Sequence, residues 1–249
     1  MKKKLIIMLL LAFLSSMVGY SYWATNINQP TEESQSVNVM IGQGFMNNQV
    51  GDQFEVGGID WVIVHIDENQ NHLIMTVNVF GAGTGVHNGT NFVHLPETNR
   101  LRPALDNWWD NVDPLLQARA LPTLGLDRDV RNQPGNWNAS ELASDGLTTP
   151  GIGRGTASDL FILSISEVNR FYGIGANPTT RIASGIRAGG SAMEPLIWWL
   201  RSPGSGIDGQ GLGTGILATG GLNNDFYGSW RNGRADIGFR PAMWIQTII

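Results

Sequence analysis

Along the chain, the first clear alternation of polar and apolar positions starts at Gly51–Gly58, where Phe54 and Val56 alternate with Gln53 and Glu55. It runs into Ile59–Ile66, a β-branched stretch around Trp61, and stops at the turn cluster Asp67–Asn71 before Leu73–Val79 returns. Period-two runs bounded by turn residues predict a β-hairpin. The period then changes: Leu101, Leu105, Trp108, Val112 and Leu115 follow helical spacing, with Pro103 suited to a first turn. Asp113-Pro114 predicts a restart as a second short helix, with Asp113 as its N-cap. Leu121–Gly155 has no sustained period and is expected to be irregular, and Phe161–Leu163 a short strand. Ser164–Tyr172, with a serine start and Glu167 in its first turn, predicts a capped helix. Gly173–Gly190 reads as loop. Leu196–Arg201, Thr214–Thr219 and Phe239–Gln246 read as strands, separated by glycine-rich turns at Pro203–Gly213 and Gly220–Gly233. No fixed-period repeat appears. A hairpin, short helices, an irregular middle and a closing antiparallel sheet with long Gly/Asn-rich loops predict an α+β fold.

The first residues follow different rules. Lys2–Lys4 precede the apolar run Leu5–Leu14, the order of a secretory signal peptide, with Gly19-Tyr20-Ser21 or Ala24 as the cleavage site. The rival reading is an uncleaved anchor held at the membrane interface by Tyr20, Tyr22 and Trp23. Residues 1–24 are therefore expected to be a signal peptide or N-terminal anchor, 25–44 a polar linker, and 45–249 a single domain. Leu95-Pro96-Glu97-Thr98-Asn99 resembles a sortase signal, but it is internal and without a hydrophobic tail, and reads as an ordinary loop.

Composition narrows the function classes. Charged residues are 15% of the chain and the net charge is -5, so a nucleic-acid role lacks its electrostatic basis. The chain has no cysteine, which excludes disulfide scaffolds, thiolate nucleophiles and Cys-ligated metal sites. Lys2, Lys3 and Lys4 are its only lysines, so every later cation is arginine, a group suited to fixed pairing and not to proton transfer. We expect an extracellular or cell-surface location, with any membrane contact made only through an uncleaved N-terminal segment.

Two blocks near the end are specific. Trp198-Trp199-Leu200-Arg201-Ser202-Pro203-Gly204 is followed about 35 residues later by Gly238-Phe239-Arg240-Pro241-Ala242-Met243-Trp244. With Gly51–Phe54, Gly58–Val62, Arg102–Leu105 and Leu163–Glu167, they resemble an uncharacterised domain family of exported and cell-surface proteins of Gram-positive bacteria, over about residues 45–248. The resemblance implies a fold similar to the C-type-lectin-like and formylglycine-generating-enzyme group, whose long loops display a binding surface. It implies no established activity, and the cysteine chemistry of the formylglycine-generating relatives is excluded here.

Candidate residues follow from these patterns. Arg201 and Arg240 sit in apolar strands, and a covered guanidinium needs a partner. Glu167, Glu194 and Asp236 are the candidates, and Arg201, Arg240, Glu167 and Asp236 are expected to form a structural clamp across the closing sheet. Adjacent Trp198 and Trp199 must face opposite sides of a strand, so one fills the core and Trp199 is a candidate stacking platform, unless a loop covers both. Trp199, Asp208, Asn223, Asn224, Asp225 and Trp230 form the candidate ligand-binding set, on loops around Gly204–Gly213 and Leu222–Ala235. Their oxygens, with those of Asp236, are of the type calcium takes, but Asn, Asp and Gly are also ordinary turn residues; no cofactor is expected, calcium being the one the loops admit. His87, His94 and Glu97 have no metal-site spacing, and Gly153-Arg154-Gly155 and Gly204-Ser205-Gly206 lack the helix a phosphate cradle needs. With no nucleophilic constellation, the leading expectation is an exported, non-enzymatic binding or adhesion module for an extracellular glycan or protein. The alternatives are a structural subunit of a surface assembly, or an extracellular hydrolase using two carboxylates such as Glu167 and Asp225.

Overall fold

A computed structural model describes residues 49–83, 101–125, 147–172, 178–203, 213–226 and 234–247. In chain order the elements are β1 (Gln53–Val56), β2 (Ile59–Ile66), β3 (His72–Thr76), α1 (Leu101–Trp109), α2 (Pro114–Gln117), β4 (Thr123–Leu124), β5 (Thr149–Pro150), α3 (Ile165–Tyr172), β6 (Ala183–Ile186), β7 (Met193–Pro203), β8 (Gly213–Ile216), β9 (Leu222–Phe226), β10 (Ile237–Gly238) and β11 (Ala242–Ile245). The fold is mixed α+β, mostly antiparallel, with few and short helices. Among the described residues no helix is long and apolar enough to cross a membrane.

One sheet runs in the order β1-β2-β3-β11. A second is built on β7, which pairs with β6, β8 and β10, while β9 extends it beyond β8. β4 and β5 form a separate pair. Alternation along the strands feeds two cores at once. Trp61 and Ile63 of β2, Ile74 of β3, Met243 of β11 and Trp199 of β7 enter one, which α1 and α2 cover through Leu101, Leu105, Trp108 and Leu116. Val64, Leu73, Met75, Trp244 and Trp198 enter the other, with Val168 of α3.

Two of the three helix starts, those of α2 and α3, follow from their sequence. Asp113 caps α2 by accepting from Leu115 N at 2.8 Å, with Pro114 in the first turn. At α3 the Ser164 hydroxyl accepts from Glu167 N at 3.1 Å while the Glu167 carboxylate accepts from Ser164 N at 2.9 Å, a reciprocal capping box.

The structure departs from the sequence expectations in several places, one of them the β4–β5 pair inside the stretch 121–155 expected to be irregular. The returning strand ends at Thr76 rather than Val79, because the chain there changes sheets: Val79 N donates to Ser184 O of β6 and Phe80 exchanges hydrogen bonds with Phe239. The stretches read as loop at 173–190 and 220–233 contain β6 and β9, whose glycine and asparagine positions carry no apolar alternation. Phe161–Leu163 is not a strand; only Phe161 makes a bridge, to Ala242. Finally, Leu196–Arg201 and Phe239–Gln246 do not lie side by side. β11 pairs with β3 and β7 with β8, and residues 161–163 run between them, bonding Ala242 through Phe161 and Arg201 N through the Leu163 carbonyl.

The crossing at Val79–Phe80 leaves no room for side chains. A Cβ on Gly185 would overlap the Val79 carbonyl oxygen and lie 2.9 Å from Leu196 Cδ1; one on Gly238 would overlap the Phe80 carbonyl and lie 2.7 Å from Val79 Cγ1. Both conflicts involve backbone, which cannot rotate away. Gly185→Ala and Gly238→Ala are each expected to cost about 1–3 kcal/mol, read as a lower urea midpoint with an unchanged slope.

Candidate functional site

Burial dictates the chemistry of Glu167. Its side chain has 0% exposure, so an ionised carboxylate there requires donors on both oxygens. One oxygen accepts from Thr148 N at 2.9 Å and Thr148 Oγ1 at 2.6 Å. The other accepts from Ser164 N and pairs with Arg201 Nη1. Burial pushes the carboxyl up, but the Arg201 guanidinium, aided by the Thr148 and Ser164 hydrogen bonds, outweighs it and holds the group below its ordinary 4.5. Arg201 also donates to the Ile162 carbonyl at 3.2 Å and lies over the Phe161 ring at 5.7 Å. The network reaches β11 through Trp244 Nε1, which donates to Thr148 Oγ1 at 3.2 Å.

Arg240 has different partners. It is 4% exposed, donates from Nε to the Thr76 carbonyl at 2.8 Å, sits 5.0 Å from the Trp198 ring and hydrogen-bonds the Tyr172 hydroxyl. Asp236 does not reach it; its two oxygens take Arg234 at 2.9 and 2.8 Å. Glu194 pairs with Arg187 at 2.8 Å on the surface. A loop carboxylate adjacent in sequence is thus captured by the nearer exposed arginine, and the buried one is satisfied by a carbonyl, a phenol and a π-face.

Trp199 is a core side chain and not a stacking platform: it has 0% exposure and packs with Trp61 and Met243. Trp198 is equally enclosed, in the other core. Asp208, Trp230, His87, His94 and Glu97 lie outside the described residues. Asn223, Asn224 and Asp225 fall on β9, a strand where a projecting loop was expected, and their side chains lie outside the described set. Among the described residues no three His, Asp or Glu side chains gather as a metal site. Glu167, with no exposed surface and both oxygens occupied, cannot serve as a hydrolytic acid or base.

The structure brings together a set that sequence reasoning passed over. A cleft of about 480 Å³ is lined by residues 65–69 from the end of β2 and its turn, 147–150 leading into β5, Arg170 and Phe171 from the last turn of α3, and Trp244 of β11. A bulge aims the key side chain. Ile63 pairs with Ile74 but His65 pairs with Leu73, so the register slips by one residue. Val64 and His65 therefore both point toward the second core, and Ile66 returns to the first. His65 stacks on Phe171 at 5.1 Å and meets Trp244 edge-on at 6.0 Å. Burial, and then the Arg170 charge, hold its pKa below the ordinary 6.5, with Asp67 pulling the other way. The Asp67 carboxylate is held by its own turn, accepting from Asn69 N, Asn71 N and Asn71 Nδ2 at 2.7–2.9 Å. Below the aromatic pair, Thr148 and Trp244 join the cleft to the Glu167 network. The one sequence signal for this site was a histidine beside the Asp67–Asn71 turn cluster.

No family model, no curated protein and no solved structure matches the chain.

Glu167→Gln leaves the Arg201 charge buried without its counter-ion. It is expected to cost about 3–5 kcal/mol in denaturant unfolding, while the double change Glu167→Gln with Arg201→Met, which removes the unpaired charge and keeps an amide acceptor, recovers much of that loss. Acidification is expected to act in two steps. His65 and His72 both have folded pKa values below 6.5, His72 mainly through burial, so the unfolded chain binds the extra protons and stability falls as pH drops below about 6.5. Glu167 has a depressed folded pKa, so its stabilisation is present above 4.5 and is lost as pH falls from there through the folded value. Thermal midpoints across pH 3–8 read both steps, and His65→Phe is expected to shrink only the first.

Proposed function

We propose that this chain is an exported, non-enzymatic binding module of the cell surface, built on a C-type-lectin-like scaffold and recognising an extracellular glycan or protein. The observation that carries the reading is the cleft of about 480 Å³ between the β2 turn, the last turn of α3 and β5. Its size falls within the range of small-ligand sites, and it combines an aromatic wall with a few polar groups, the usual make-up of such sites. A wall of His65 and Phe171 offers stacking, and Thr149, Asn69 and Arg170 offer hydrogen bonds around it. The non-enzymatic part is supported by the state of Glu167, whose carboxylate is committed to Arg201, Thr148 and Ser164. Export is supported by the Lys2–Lys4 and Leu5–Leu14 pattern, and the scaffold by the resemblance of the Trp198–Gly204 and Gly238–Trp244 blocks.

Retention of the purified chain on insoluble bacterial cell wall and on a glycan array, with and without calcium, tests the reading. Binding is expected, together with at least a tenfold loss in Thr149→Trp, which fills the cleft from an exposed position. No retention on either support in either condition overturns it.

A further inference from the structure

The charges around the cleft are more specific than its shape. Among the described residues, four titratable groups line it: His65, Asp67, Glu68 and Arg170. His65 is stacked on Phe171 and meets Trp244 edge-on, and Asp67 is engaged by three donors of its own turn. Glu68 and Arg170 remain. Both are exposed, they have opposite sign, and neither has an ion-pair partner among the described residues. They come from different walls, Glu68 from the β2–β3 turn and Arg170 from the last turn of α3.

A ligand of one sign entering this space meets a like charge on one wall, and an uncharged ligand strips water from two charged groups without pairing either. A ligand carrying both signs matches both walls. Between them, the half-buried His65–Phe171 stack offers an apolar surface for a side chain. Resting on the reading of this cleft as a binding site, we infer that it takes a zwitterion of dipeptide size, with the ligand carboxylate on Arg170 and its ammonium toward Glu68. Arginine suits the carboxylate half because its fork can grip both oxygens. The floor is preorganised for such a ligand. Thr148 and Trp244 are locked to each other and, through Glu167, to Arg201, so among the described residues the floor needs no ordering on binding.

Calorimetry on the purified chain with the dipeptide Ala-Phe, its N-acetylated form, its C-amidated form and the uncharged disaccharide chitobiose tests the inference. Ala-Phe is expected to bind, and each cap is expected to weaken binding about tenfold. The charge-neutral variants assign the walls: Arg170→Gln removes the effect of amidation but not of acetylation, and Glu68→Gln does the reverse. Both positions are exposed, so these variants keep the core network and fold. Caps without effect, variants that do not separate the two caps, absence of Ala-Phe binding, or chitobiose binding more tightly than Ala-Phe would each overturn the zwitterion assignment. The broader binding reading is scored apart from these outcomes, because retention on cell wall and its loss in Thr149→Trp do not depend on which small probe binds.

Discussion

A carboxylate with no exposed surface stays ionised only if donors surround it, and the donors gathered at Glu167 come from separate parts of the chain. Ser164 starts its own helix, Thr148 comes from the segment leading into β5, and Arg201 comes from the longest strand. Each is fixed by the same requirement, so α3, β7 and residues 147–148 cannot move apart without exposing a buried charge to an apolar core. Trp244 adds β11 through its indole N–H on Thr148. Ser164 and Glu167, Arg201, and Trp244, one or two residues from each of three separate sequence blocks, thus meet in one hydrogen-bonded group.

The other buried arginines extend the same logic to the backbone. Irregular segments leave carbonyls that no ladder satisfies, and each must find a donor. Arg102 supplies donors to the carbonyls of Ala157, Ser158 and Leu160, Arg181 to Gly220, Arg201 to Ile162 and Arg240 to Thr76. A planar fork with five N–H groups serves several carbonyls in fixed directions, which a lysine ammonium on a flexible stem does less well. That every cation after Lys4 is arginine fits a fold in which guanidinium groups tie loops to strands.

Elements whose signal is local were legible in the sequence. The β2–β3 hairpin, the Asp113 cap and the Ser164–Glu167 capping box all depend on residues within a few positions of one another. What could not be read depends on partners distant in sequence. β6 and β9 exist because β7 and β8 offer them ladders, and their own Gly and Asn residues carry no period. Arg201 and Arg240 were recognisable as groups needing partners, but which carboxylate is in reach is set by chain crossings, and Asp236 went to Arg234. Trp199 was ambiguous because alternation shows that Trp198 and Trp199 face opposite ways without showing that both faces are covered. His65 was hidden for a sharper reason: strict alternation from Trp61 and Ile63 places it in the first core, and only the bulge at Val64 turns it to the cleft.

That bulge also separates the packed strand faces from the cleft. Both faces of β3, β11 and residues 196–202 of β7 are committed to cores, so the cleft forms at strand ends and turns, where β2, α3 and β5 finish together. The floor of the cleft belongs to the stability network through Thr148 and Trp244, while its rim at Glu68, Asn69 and Arg170 is exposed. Rim side chains can therefore vary with little effect on folding, because surface charges away from buried networks contribute little to stability. Floor residues have no such freedom: changing Thr148 removes a donor from Glu167 and an acceptor from Trp244 together. A rigid floor under a variable rim lets one scaffold hold its shape while the chemistry it selects changes at two or three exposed positions.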